Sequence, residues 1–188
     1  YKTDKDIKTL IINAVECEPY ITADYMLIKT KIEEILECCD AITEIFNIEE
    51  CFIAIKVGND EIKEIIKMYI GTYPKIKIIE VPDIYPMGWE KSLVRYIKHV
   101  DYEKLPIEKG IVVNNVSTVY AIYEALKYDK PLIERIITFS GDLCEEPQNI
   151  KVRVGTSTND IIDSIIKTKD NDYMLISGGP MMGNKTPS

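Results

Sequence analysis

Short runs of apolar, mostly β-branched residues alternate along this chain with longer segments of helical spacing. That alternation constrains the fold more than any other feature. Leu10-Ile11-Ile12, within Ile7 to Val15, is one such run, and an unbroken apolar run suits a strand buried on both faces. From Thr22 to about Phe46, Met26, Ile28, Ile32, Ile35, Leu36, Ile42 and Ile45 recur at helical spacing, with Thr22 or Asp24 as a candidate cap. Cys51 to Val57 reads as a second strand, closed by Gly58-Asn59-Asp60, and Asp60 to about Ile70 as a second helix. Lys75 to Val81 reads as a third strand. After a loop over Pro82 to Gly88, the pattern predicts a helix over Glu90 to His99 and a strand over Gly110 to Val116. A further helix follows over Ser117 to Lys127, capped by Asn115 or Ser117. This order is that of an α/β domain with a largely parallel sheet. In such sheets ligands sit at the carboxyl ends of strands, in the loops that lead into helices.

The pattern changes near Pro131. Ile133 to Ser140 and Ile150 to Val154 read as two strands around a Gly141-Asp142 turn. A helix over Thr158 to Lys167 and a strand over Tyr173 to Ile176 follow. A hairpin, a helix and a strand are the order of a small β-grasp α+β module. The expected organisation is therefore residues 1–130 as the α/β domain and 131–188 as the β-grasp domain. The chain begins with Tyr1 and closes on Asn184-Lys185-Thr186-Pro187-Ser188 just after a glycine-rich turn, so a piece of a longer protein is expected.

Composition narrows the partners. The net charge is -8, and no lysine or arginine run is present, which argues against nucleic acid because phosphate binding needs clustered positive charge. No apolar run approaches the roughly 20 residues that span a bilayer, so direct membrane insertion is not expected. The five cysteines, Cys17, Cys38, Cys39, Cys51 and Cys144, form no C-x-x-C pair and read as ordinary reduced thiols of a cytosolic protein. The one histidine, His99, falls near a helix end, where a solvated or capping role outweighs a catalytic one.

Four segments can carry chemistry. Asn13-Ala14-Val15-Glu16-Cys17-Glu18-Pro19-Tyr20 follows the first strand directly. An extended backbone there places Glu16 and Glu18 on one side. Such carboxylates can accept hydrogen bonds from a ribose, a ribityl chain or a nicotinamide amide, can bind a metal, or can simply be solvated. Val113-Asn114-Asn115-Val116-Ser117-Thr118 ends a strand and opens a helix, which suits either a phosphate seat or plain helix capping. Tyr85-Pro86-Met87-Gly88-Trp89-Glu90-Lys91 is a Pro-Gly loop with the only tryptophan, and Glu90 falls in a first helical turn, where the dipole favours it. Ser177-Gly178-Gly179-Pro180-Met181-Met182-Gly183 lacks the lysine and spacing of a phosphate-binding loop and reads as turn chemistry.

Taken in order, these segments resemble a known family. With Lys130-Pro131-Leu132-Ile133-Glu134-Arg135 and Ser140-Gly141-Asp142 between them, they resemble the C-subunit of the Rnf electron-transport complex. That family is similar in turn to the NADH-oxidising flavoprotein of respiratory complex I. The resemblance implies a Rossmann-like flavin domain followed by a soluble-ligand-binding β-grasp (SLBB-like) module. It implies FMN as cofactor and NAD(H) as two-electron partner, with 4Fe-4S clusters in a part beyond this chain. By position it implies Asn13, Glu16, Asn114, Asn115 and Thr118 toward FMN, and Glu18 and Glu90 toward the nicotinamide nucleotide. It implies other subunits of a membrane electron-transport complex and a ferredoxin-type carrier as partners, at the cytoplasmic side of the membrane.

Three departures accompany the resemblance. The family's glycine-rich flavin-phosphate loop and its cysteine-rich cluster segment are absent from this sequence. Trp89 stands where the family usually has a small glycine. The expectation for this chain alone is therefore weak flavin binding or none. Related soluble reductase subunits, of the amino-acid reductase or cobalamin reductase type, and a non-catalytic ligand- or partner-binding module remain the alternatives.

Overall fold

The computed structural model describes residues 5–170 and 172–186. Tyr1, Pro187 and Ser188, which bear on the expectation of a longer parent protein, lie outside them. The chain divides into two compact units, one of Tyr1–Cys17 with Leu27–Pro131 and one of Glu18–Met26 with Leu132–Ser188.

In the first unit the strands are β1 (Thr9–Asn13), β2 (Glu50–Lys56), β3 (Ile76–Val81) and β4 (Ile111–Asn115). They form a four-stranded sheet in the order β3-β2-β1-β4, and every pairing is parallel. Helices α1 (Ala23–Ile45, of which Leu27 onward belongs to this unit), α2 (Asp60–Ile70), α3 (Glu90–Lys98) and α4 (Val116–Tyr128) connect or follow them. The fold is α/β with a mainly parallel sheet. Leu10, Ile11 and Ile12 are fully buried, as strands covered on both faces require. Along α1, Ile28, Ile32, Ile35, Leu36, Cys39 and Ile42 make the buried stripe. Lys31 departs from helical backbone (φ -137°, ψ 25°), and a kink falls there. β2 closes on Gly58, whose φ of 83° favours glycine.

The order of strands matters more than their number. From β1 the chain steps outward to β2 and β3, then returns to place β4 on the other side of β1. The direction of winding reverses between β1 and β4. This is the topological switch point, and the crevice outside the carboxyl ends of these two strands is the favoured ligand position. An apolar cluster of Ile11, Val15, Ala54, Val81, Leu93, Val94, Tyr102 and Ile111 backs these strands.

The second unit contains the antiparallel pair β5 (Glu134–Phe139) and β6 (Gln148–Arg153), with Ile137 opposite Ile150. Helix α5 (Thr158–Ser164) follows, three residues shorter than its sequence pattern predicts. Cys144, Ile150, Ile161 and Ile166 form its small core. The strand expected over Tyr173 to Ile176 is reduced to β7 (Ile176–Ser177), which pairs with β8 (Asn184–Lys185) as a hairpin of its own. The segment ahead of α1 packs in this unit through polar contacts. Thr22 N–H donates to Thr138 Oγ1 at 2.9 Å, Thr138 Oγ1 donates to Asn149 Oδ1 at 2.7 Å, and Ser140 Oγ donates to the Tyr20 carbonyl at 2.7 Å.

Candidate functional site

Parallel register brings the predicted asparagines together. Asn13, the last residue of β1, lies opposite Asn115, the last residue of β4, and Ile12 lies opposite Asn114. Three carboxamides separated by about 100 residues in sequence thus share one edge of the sheet. Asn13 is also the fastener of that edge. Its Nδ2 donates to the Gly88 carbonyl at 2.8 Å, and its Oδ1 accepts from Val15 N–H at 3.1 Å. The Pro-Met-Gly-Trp loop is thereby tied to the end of β1. Gly88 has to be small for this approach, because a Cβ there would stand 2.9 Å from Cys17 Sγ.

Glu16 follows in a left-handed backbone conformation, φ 41°, which a non-glycine residue adopts only at a cost of about 1 kcal/mol or more. The turn overturns the expectation that an extended stretch holds Glu16 and Glu18 on one side. Glu16 belongs to the parallel-sheet unit, whereas Glu18 belongs to the C-terminal unit. There Glu18 Oε2 accepts from Met181 N–H at 2.8 Å. Gly179 packs against the same carboxylate, with its hypothetical Cβ only 2.0 Å from Oε2. The Gly-Gly-Pro-Met-Met turn is therefore shaped around Glu18.

At β4, Asn115 is the N-cap of α4, its Oδ1 accepting from Ser117 N–H at 2.8 Å. Of the two candidate caps, the asparagine takes the role. Thr118 lies in the first helical turn, which contains no acidic residue. The amino end of α4 accordingly presents the positive end of a helix dipole at the switch point.

Across the Gly88 loop, Trp89 is the N-cap of α3 and Glu90 its first residue. The indole is 45 % exposed and meets Tyr85 edge-on, with centroids 6.0 Å apart. Glu90 Oε1 accepts a hydrogen bond from the Tyr102 hydroxyl at 3.1 Å. Burial, and then this carboxylate, push the Tyr102 phenol up to about 12. Tyr102 was not visible as a site residue in the sequence, where it is one tyrosine among twelve with no motif around it. His99 is exposed and closes α3 in the left-handed conformation, its N–H on the Arg95 carbonyl.

Two buried thiols away from this edge, Cys38 and Cys39, are held protonated. Burial drives the Cys38 thiol up to about 12, and a hydrogen bond with Cys51 together with burial drives Cys39 well above the ordinary range. Among the described residues no three His, Cys, Asp or Glu side chains converge as metal ligands, and no helix is long and apolar enough to cross a membrane.

The family model described as the Nuo51 FMN-binding domain matches residues 1–124. The chain belongs to the Nuo51 FMN-binding domain family. Among curated relatives, the chain is 38% identical over 183 residues to the C-subunit of the proton-translocating ferredoxin:NAD(+) oxidoreductase complex of Clostridium ljungdahlii, covering 96% of this chain and 40% of the relative. It is 36% identical over 183 residues to the C-subunit of the ion-translocating oxidoreductase complex of Rhodobacter capsulatus, covering 95% of this chain and 35% of that protein. It is 32% identical over 182 residues to the Na(+)-translocating counterpart of Acetobacterium woodii, with 96% and 41% covered. The chain thus spans well under half the length of these relatives. A crystal structure of NAD+-reducing [NiFe]-hydrogenase in the H2-reduced state aligns with a TM-score of 0.72 at 16% identity, covering 89% of this chain and 34% of that one. At that identity the likeness is one of fold.

The switch point of this Nuo51-type domain suits FMN by donor chemistry. Carboxamides, a carboxylate and a helix amino end are the donor and acceptor types that an imide edge, ribityl hydroxyls and a phosphate pair with.

Proposed function

We propose that this chain is the core of an electron-transfer flavoprotein subunit that links NAD(H), through FMN and 4Fe-4S clusters, to a ferredoxin-type carrier. The observation that supports this reading most is the register of β1 and β4, which gathers Asn13, Asn114 and Asn115 at the switch point of a Nuo51-type sheet. The names of two relatives, subunits of ferredoxin:NAD(+) oxidoreductase complexes, support this choice of electron partners. The clusters and the remaining subunits of a membrane complex, docked on its cytoplasmic side, belong to the same proposal. In this reading residues 131–188 are an SLBB-like β-grasp module.

Bound FMN would accept a hydride from NADH and release electrons singly. This chain's residues position and exclude. Asn114 and Asn115 hold the flavin's polar edge at the carboxyl end of β4, with Thr118 in the first turn of α4 beside them. Asn13 acts chiefly by holding the Gly88 loop against β1. Glu16, turned by its left-handed backbone, serves the ribityl hydroxyls. Glu90 faces the nicotinamide nucleotide from the start of α3. Glu18 is left to the turn it braces.

The test uses the intact natural protein isolated with its flavin. Anaerobic NADH should bleach the flavin absorbance within seconds, and a ferredoxin should reoxidise it. A flavin that NADH leaves oxidised, or an intact protein that takes up no FMN, overturns the proposal.

A further inference from the structure

Tyr102 and Glu90 form a contact that no motif announces. Twelve residues separate them, with α3 between. The tyrosine ring is 7 % exposed and lies in the apolar cluster with Val15, Leu93 and Val94, so core packing fixes its place. Its hydroxyl emerges at the rim of that cluster and donates to Glu90 Oε1 at 3.1 Å. Lys91 Nζ stands 5.7 Å from the centre of the same ring, on its face. Glu90 itself is exposed, at the first position of a helix, with several side-chain torsions that water alone would leave free.

We propose that Tyr102 is a positioning residue that holds the Glu90 carboxylate in its nucleotide-binding orientation. The inference rests on the reading that Glu90 faces the nicotinamide nucleotide. A buried phenol needs a hydrogen-bond partner, and an exposed carboxylate does not need this one. The arrangement therefore converts the rigidity of the core into a fixed rotamer at the surface. One carboxylate oxygen is spent on Tyr102, which leaves Oε2 to accept from a ribose hydroxyl or a carboxamide N–H. The charged acceptor makes the bond a strong one. The phenol stays protonated throughout the physiological range, so the donor is always present. Pre-set orientation lowers the ordering cost of binding without adding a contact to the ligand.

The experiment measures NADH affinity of the intact, flavin-loaded protein in wild type, Y102F, E90Q and the double variant. Y102F keeps the ring and removes only the hydroxyl. It should weaken NADH binding by about three- to tenfold, within the range of one ordinary hydrogen bond, because the lost bond positions the carboxylate and does not touch the ligand. Flavin content should be unchanged, and E90Q should weaken NADH at least as much. The double variant should be no weaker than E90Q alone, a non-additivity that a merely structural tyrosine does not produce. If E90Q leaves NADH affinity unchanged, the reading of Glu90 fails. If E90Q weakens binding while Y102F does not, or if the two effects add, the positioning role of Tyr102 fails and the reading of Glu90 stands. Should Y102F not fold, E90D reads the same contact from the exposed side. It keeps the charge and the core, shortens the reach to Tyr102, and should weaken NADH to the extent expected of Y102F; unchanged affinity overturns the inference.

Discussion

Replacing Asn13 by alanine removes two hydrogen bonds at the point where strand, loop and site meet. The first is Nδ2–H to the Gly88 carbonyl at 2.8 Å, and the second is Val15 N–H to Oδ1 at 3.1 Å. Val15 is 1 % exposed, so water does not easily replace the lost acceptor of its N–H. An orphaned buried donor costs about 1–3 kcal/mol and the second bond about 0.5–1.5 kcal/mol, so N13A should destabilise the parallel-sheet unit by roughly 2–4 kcal/mol. The sole tryptophan lies one residue beyond Gly88, which makes Trp89 fluorescence during urea unfolding the natural assay. N13D sharpens the test. It keeps the acceptor for Val15 but sets a carboxylate against the Gly88 carbonyl. That repulsion raises the introduced group's folded pKa above its unfolded value of about 3.9. The protonated form restores a donor, so stability is highest below the unfolded pKa and is lost as pH rises through the folded pKa. N13D should therefore approach wild type on acidification, while N13A should keep its deficit. A loss under about 0.5 kcal/mol for N13A, within the range of an inconsequential surface change, would refute the fastener role.

Three other outcomes follow from the contacts around the edge and the sheet. G88A should destabilise by about 1–3 kcal/mol through its Cβ against Cys17 Sγ, and C17A in the same chain should relieve most of that in a urea melt. Burial opposes the charge on Glu50, yet hydrogen bonds from Lys98 and Thr9 outweigh it and hold the carboxyl below the usual range. Its contribution to stability is present above the unfolded pKa of about 4.3 and is lost as pH falls through the folded pKa, so E50Q should flatten the acid limb of a stability–pH curve. A thiol reagent on the native chain should label Cys17 first, and Cys38, Cys39, Cys51 and Cys144 only on unfolding, as mass spectrometry of the modified peptides would show.

Most of the first unit was legible because its strands are covered on both faces. Such strands leave unbroken apolar runs, as at Leu10-Ile11-Ile12, and helices between them leave a 3.6-residue stripe. The strand order was not legible. That β4 returns beside β1, and so places Asn13 opposite Asn115, depends on contacts about a hundred residues apart that no local pattern encodes. The carboxylates show the same limit from the other side. Residues two apart were expected to share a face, but the left-handed backbone at Glu16 breaks the extended geometry on which that expectation stood. Glu18 then finds its partner at Met181, far along the chain. Near the end of the chain, a two-residue strand such as Ile176–Ser177 is too short for alternation to register. Tyr102 was hidden for another reason: its role lies in one hydroxyl on a ring whose sequence neighbours look like ordinary core.

In the proposed function the carboxyl ends of β1 and β4 hold the flavin. The direct measurement is FMN titration of the flavin-free intact protein, comparing wild type with N114L and with K75A, a substitution beside the amino end of β3. Loss of charge-free but specific hydrogen bonds at Asn114, together with an apolar side chain in their place, should weaken FMN at least about tenfold, while K75A should bind as wild type does. Equal FMN affinity in all three would contradict the assignment of the switch point.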